Sequence, residues 1–141
     1  MTATVHSPST HPPKVLRASL WGAQFVLAGL FLFSAFMKLA TPFPELARMM
    51  PWTGELPQTF VRFIGLVDLA GGLGILLPSL TRVLPRLTVL AALGCTVLQV
   101  FAIVFHVSRG EAPMIVLNIP MLALALFVLW GRARKAPVLP R

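Results

Sequence analysis

Charge is what this chain has least of. Only 11% of its 141 residues are Asp, Glu, Lys or Arg, while 57% are hydrophobic. A soluble domain carries roughly 25% charged residues. Three stretches, 18–37, 87–108 and 112–131, hold no charged residue at all. Each matches the ~20 apolar residues that cross a bilayer as a helix, and a soluble enzyme is excluded. Cysteine is nearly absent too. Cys95 stands alone, so there is no internal disulfide and no CxxC pair for thiol–quinone exchange. His106 is the single histidine within the apolar stretches, while His6 and His11 precede them. One imidazole gives neither a bis-histidine haem nor a metal site. No flavin or nucleotide motif is present, and the sequence assigns no catalytic residue and no certain cofactor.

What is there is a pattern of helices. Residues 59–78 have the length of a fourth span but carry Arg62 and Asp68. Without that span, the connection between the first and third would be too long and too apolar to lie in water. The expected fold is all-α: an integral membrane bundle of four transmembrane helices near 18–39, 59–79, 87–107 and 112–131. Residues 1–17 read as a disordered cytoplasmic lead-in, 40–58 as an outer loop and 132–141 as a basic cytoplasmic tail. Pro78 and Pro85 bracket the 79–86 turn as stop and start signals, and SRGE at 108–111 joins the last two spans directly. The outer loop contains TPFPELARMMPWTGELPQ, too apolar for free solvent. It either lies on the outer headgroups, anchored by Trp52, or closes the outer mouth of the bundle as a lid.

The net charge of +8 is unevenly placed. Lys14, Arg17, Arg82, Arg86, Arg132, Arg134, Lys135 and Arg141 share one side with no acid. Lys38, Arg48 and Arg109 face Glu45, Glu55 and Glu111 on the other. Basic flanks stay cytoplasmic, so both termini are expected inside. The basic excess is then a topology signal and a contact for anionic lipid headgroups, and no nucleic acid is implied.

Polar side chains in a membrane helix face protein or a water-filled cavity. Here they recur in steps of three and four: Gln24, Leu27, Phe31, Ser34 and Lys38 in the first span, and Gly65, Asp68, Gly72 and Ile75 in the second. The third span repeats the pattern with Ala92, Cys95, Gln99, Ala102 and His106, the fourth with Met114, Asn118, Met121 and Ala125. Each set shares one helix face, which is read as the bundle interior. At ~1.5 Å per residue, Lys38, Arg62 and His106 come near the outer surface, with Asp68, Gln99 and Asn118 one to two turns deeper. The expectation is a polar pocket in the outer half and a cytoplasmic half almost free of polar side chains.

Asp68 is the pivotal residue, since a carboxylate at mid-membrane costs roughly 2.5–3.5 kcal/mol on insertion scales. It is either a latch to Lys38 or Arg62 or a ligand-binding or proton-handling group. Arg62 stands about 120° around the helix from it and would have to bend inward. Pro120 removes the bond to the Val116 carbonyl, which either kinks the helix for packing or offers a freed carbonyl beside the Asn118 amide. Cys95 reads as an inert buried thiol. Ala70, Gly71, Gly72 and Gly74 allow close helix approach, inside the bundle or between two copies.

These residues resemble the DoxX-like family of small four-helix bacterial membrane proteins. The likeness rests on GLFLFSAFMKL at 29–39, RFIGLVDLAGGLGILLPSLTRVLPRLTVLAALG at 62–94, VFHVSRGE at 104–111, and the IVLN stretch leading to WGR. Lys38, Arg62, Gly65, Asp68, His106 and Asn118 occupy matching positions. Asp68 replaces a frequent glutamate, and Ala35 a common glycine. The resemblance implies a bacterial inner-membrane protein that is not an enzyme by itself, and a membrane partner of a redox enzyme if redox-linked. Three roles stay open on the sequence. One is a non-catalytic subunit or binding module for a small lipophile of the quinone type, using Asp68, Lys38, Arg62, His106, Asn118 and Gln99. The second is a structural or assembly protein for other membrane proteins, and the third a small transporter acting as a homodimer.

Overall fold

The computed structural model describes residues 11–141, and the first ten lie outside it. Among the described residues there are helices and no strands. They run α1 (Lys14–Ala40), α2 (Phe43–Met49), α3 (Pro51–Gly54), α4 (Gln58–Thr81), α5 (Arg86–Ser108) and α6 (Ala112–Trp130). A π-helical turn, Gly131–Lys135, prolongs α6. Four helices are long and apolar enough to cross a membrane: α1, α4, α5, and α6 with its π-turn. The protein is an all-α, multi-pass membrane bundle. Phe33, Phe36, Phe63, Leu90, Phe101 and Val116 are among the large apolar side chains left exposed. Such a surface belongs against hydrocarbon rather than water.

The three-and-four spacing turns inward as the sequence indicates, except at the start of the fourth span, where Met114 is exposed because the short α5–α6 turn leaves no facing helix over it. Leu27, Phe31, Ile75, Ala92, Cys95, Met121 and Ala125 form one buried core. A second, smaller core joins Met37, Leu46 and Val61, with Phe43, Met50, Trp52 and Leu56 against it. Short α2 and α3 are thus docked on the end of the bundle by their own apolar side chains, and Leu46 and Thr53 are fully buried. This end is called the loop end below. The opposite end, where Lys14, Arg82, Arg86 and the C-terminal residues gather, is the basic end.

Several boundaries differ from expectation. α1 begins at Lys14, so 14–17 are helical; nothing between Pro13 and Ala18 breaks the turn. Pro78 does not stop its helix, since α4 continues to Thr81 and ends on left-handed Arg82 (φ 59°). Proline survives in a membrane helix where a neighbour satisfies the disturbed backbone. Gln24 Nε2 of α1 donates at 2.7 Å to the carbonyl of Ile75, the residue after Gly74, whose carbonyl loses its helical donor at Pro78.

The basic half also departs from the sequence reading. Gln24, Ser79, Thr88 and Arg132 are all buried there. Ser79 and Thr88 face each other across the α4–α5 turn at 2.8 Å. Arg132, expected among the solvated flank charges, folds inward on the π-turn.

Candidate functional site

The loop-end site grows from two helix faces. Ser34 and Lys38 lie one turn apart on α1, and Asp68 faces them from α4. Gly65 makes the approach close, since a Cβ there would stand 2.9 Å from Lys38 Cβ. Lys38 Nζ donates to Asp68 Oδ2 at 2.7 Å, and Ser34 Oγ donates to the same oxygen at 2.8 Å. The two charged side chains are 9% and 5% exposed, so the pair is buried. Arg62 does not reach the acid. Its guanidinium instead donates to the Lys38 carbonyl and, at 2.9 Å, to the Thr41 carbonyl. It thereby satisfies carbonyls left over at the end of α1.

Trp52 of α3 covers this pair. Lys38 Nζ is 5.9 Å from its ring, and the His106 ring meets it edge-on at 5.9 Å. His106 in turn pairs through Nδ1 with Glu111 at 2.7 Å. Arg109 bridges Glu111 at 2.9 Å and Glu55 at 2.7 Å, which pins the end of α3 to the α5–α6 turn. Segment 43–56 is therefore clasped over the polar site by Glu55, Arg109, Glu111 and His106.

The Glu111 carboxyl is held below the usual carboxylate range. The hydrogen bond with His106 is the largest cause, burial opposes it, and the bond from Arg109 adds to it. A depressed carboxylate stabilises the folded form above its unfolded value, near ~4.3. That contribution is lost as pH falls through the lower folded value. Glu111→Gln is accordingly expected to raise amide exchange in 43–56 at neutral pH. The difference from the parent should shrink as pH falls below ~4.3 and close once the pH is under the depressed folded value, as followed by hydrogen–deuterium exchange. A gap that persists in acid would show that Glu111 does not act through its charge.

Gln99 occupies the same interior face of α5, one turn from Cys95. It is buried, and its Nε2 has only a weak contact with Met121 Sδ at 3.8 Å. Its Oε1 is buried with no partner. Asn118 is half-buried and stays outside the network. Of the six sequence candidates, Lys38 and Asp68 meet directly, Arg62 braces Lys38 through the backbone, and His106 lies across Trp52. An apolar groove of about 350 Å³ opens between α4 and α5, lined by Val67, Gly71, Gly74, Ala91, Cys95 and Leu98 among others. Val67 and Leu98, the chain neighbours of Asp68 and Gln99, line the groove at the end nearer the polar cluster, Asp68 and Gln99 themselves do not line it, and Pro78 and Leu87 carry it toward the basic end. Gly74 packs within the bundle, since a Cβ there would stand 2.8 Å from Ala91 Cβ.

The family model for the DoxX-like family matches residues 22–128, which reaches into all four spans and includes the whole loop-end cluster. The chain is a member of the DoxX-like family. No curated protein and no solved structure matches it, so this DoxX-like protein's site is read from its own side chains. Ser34, Trp52 and the Glu55–Arg109–Glu111 clasp were not among the sequence candidates. Ser34 was legible as the residue one turn before Lys38 on the polar stripe. Trp52 was legible only as a loop anchor or part of a lid, because nothing local fixes which side chains a folded-back loop covers.

Proposed function

We propose that this DoxX-like protein is a non-catalytic membrane subunit that binds a small lipophilic molecule of the quinone class. The observation that carries this reading is the buried, unpartnered Gln99 carbonyl beside the end of an apolar groove. Buried polar atoms nearly always have a partner, and an amide oxygen calls for a donor such as a quinol hydroxyl. The groove falls within the ~300–1,000 Å³ of small-molecule sites and suits an apolar ring or tail. Gln99, Asp68 and Lys38 would hold the polar end. Asp68 and His106 are the groups able to take or give a proton there, and Trp52 excludes water from above. A quinone-class molecule, when bound, supplies the redox chemistry, and a partner redox enzyme in the membrane supplies or takes the electrons. The setting proposed is a bacterial inner membrane with both termini cytoplasmic, from the basic residues gathered at one end.

A second reading is a structural or assembly protein in which Lys38–Asp68 is only a latch between α1 and α4. It is favoured by the closed 2.7 Å pair. Gln99→Leu separates the two, since it removes the orphan carbonyl and leaves the pair intact. Native mass spectrometry with an ultraviolet–visible spectrum on gently purified protein should show a quinone-class molecule at about one per chain. Gln99→Leu should lose it while remaining folded. If the parent carries ordinary lipid alone and Gln99→Leu is merely more stable, the latch reading stands.

A further inference from the structure

The basic end holds a second buried polar cluster, separate from the loop-end site. Gln24 and Lys38 are 14 residues apart on α1, about 21 Å along the helix. Gln24 Nε2 donates to Ser79 Oγ at 3.1 Å as well as to the Ile75 carbonyl, and its Oε1 accepts from Arg132 Nε at 2.7 Å. Arg132 Nη1 donates to the Ala136 carbonyl at 3.1 Å, and the guanidinium lies 4.9 Å from the Trp21 ring. Arg132 is 5% exposed, yet its Nη2 is buried without an acceptor. Arg132 is among the residues lining a cavity of about 40 Å³, together with Ser79, Arg86, Pro137 and Val138. The chain's end is folded back beside it: Arg82 Nε donates to the Leu139 carbonyl at 3.0 Å, and the Arg141 amide donates to the Arg82 carbonyl at 3.3 Å.

We propose that this cavity is a binding site for a phosphate-type oxyanion. Arg132 forms no ion pair with Asp or Glu among the described residues. The four acids, Glu45, Glu55, Asp68 and Glu111, all lie toward the loop end. A buried guanidinium with a free N–H is costly unless an acceptor of opposite charge joins it. Its planar fork suits phosphate oxygens, and the exposed Arg86 adds a second cation at the rim. At ~10–15 Å³ per water-sized group, the cavity admits about three to four such groups. That accommodates the oxygens of one phosphate and excludes a whole headgroup. The phosphate is either that of a phospholipid in the adjoining leaflet or a free ion, and the chemistry of recognition is the same.

The test uses the full chain, delipidated in neutral glucoside micelles and titrated at constant ionic strength. One arm receives inorganic phosphate, the other dihexanoyl phosphatidic acid, and the readout is the unfolding midpoint together with native mass spectrometry. One probe per chain should bind saturably. Arg86→Gln alters a residue outside the buried network and keeps the fold, and it should weaken binding about tenfold or more. Arg132→Lys keeps the charge but not the fork and should do the same. Tighter binding of the phosphatidic acid assigns the site to a lipid headgroup; equal or tighter binding of inorganic phosphate assigns it to the free ion. The proposal is overturned if neither probe saturates, or if folded Arg86→Gln binds as the parent does. The free N–H would then be met by water.

Discussion

Replacing Asp68 with alanine is expected to lower the stability of the bundle by about 3–5 kcal/mol, the usual cost of breaking a buried ion pair from one side. Lys38 Nζ lies 2.7 Å from the carboxylate, with 9% of the lysine side chain exposed. Trp52 closes the space above it, and Arg62 holds the Lys38 carbonyl below. In the variant the ammonium keeps only Ser34 Oγ as a neighbouring acceptor, and no second carboxylate stands near. Removing both charges is a different experiment. Lys38→Met with Asp68→Leu leaves no uncompensated ion and should recover most of the loss, because a buried pair seldom outperforms well-packed apolar side chains by much. Unfolding of the parent, Lys38→Met, Asp68→Leu and the double in micelles closes the thermodynamic cycle. A double variant as unstable as Asp68→Ala would place the cost in lost packing instead of stranded charge.

Gly72→Ala carries the second large effect, about 1–3 kcal/mol of destabilisation from overpacking, toward the upper end. A Cβ at this position would stand 2.8 Å from Leu32 Cγ and 2.9 Å from its Cδ2, and 3.2 Å from the Ala28 carbonyl oxygen. The leucine can rotate aside at some cost. The carbonyl belongs to the α1 backbone and cannot, so the two helices must separate along their shared face. Gly29→Ala is the matched control on α1, where an added Cβ meets nothing within 4 Å. It should be neutral or stabilising by up to about 1 kcal/mol through helix propensity. The two variants differ in whether the added Cβ meets a facing helix. Equal unfolding midpoints would show that α1 and α4 do not meet as closely as their geometry requires.

The parts of this protein legible in its sequence are those set by short-range physics. Charge-free runs of bilayer length specify the spans, because a helix is the local way to satisfy every backbone group in hydrocarbon. The three-and-four stripe specifies the buried faces: Gln24, Asp68, Cys95 and Gln99 all lie inside, since helical geometry fixes which residues share a side. The DoxX-like resemblance follows from the same ordered segments, and the family model matches the span from 22 to 128.

Tertiary structure decided everything that depends on which face meets which. Lys38 rather than Arg62 takes Asp68, because the two lie on facing stripes drawn together at Gly65, while Arg62 points along the helix toward the end of α1. Segment 43–56 became a clasped cover only through Glu55, Arg109 and Glu111, which are distant in sequence and were legible as a charge balance alone. Arg132 shows the reverse case. Its sequence context is that of a solvated flank, and only the π-turn and the folded-back tail bring it into the interior beside Gln24 and Ser79. Local patterning fixes what a helix buries, whereas the partner of each buried charge is fixed by long-range packing, where side-chain reach and the small residues at a crossing decide.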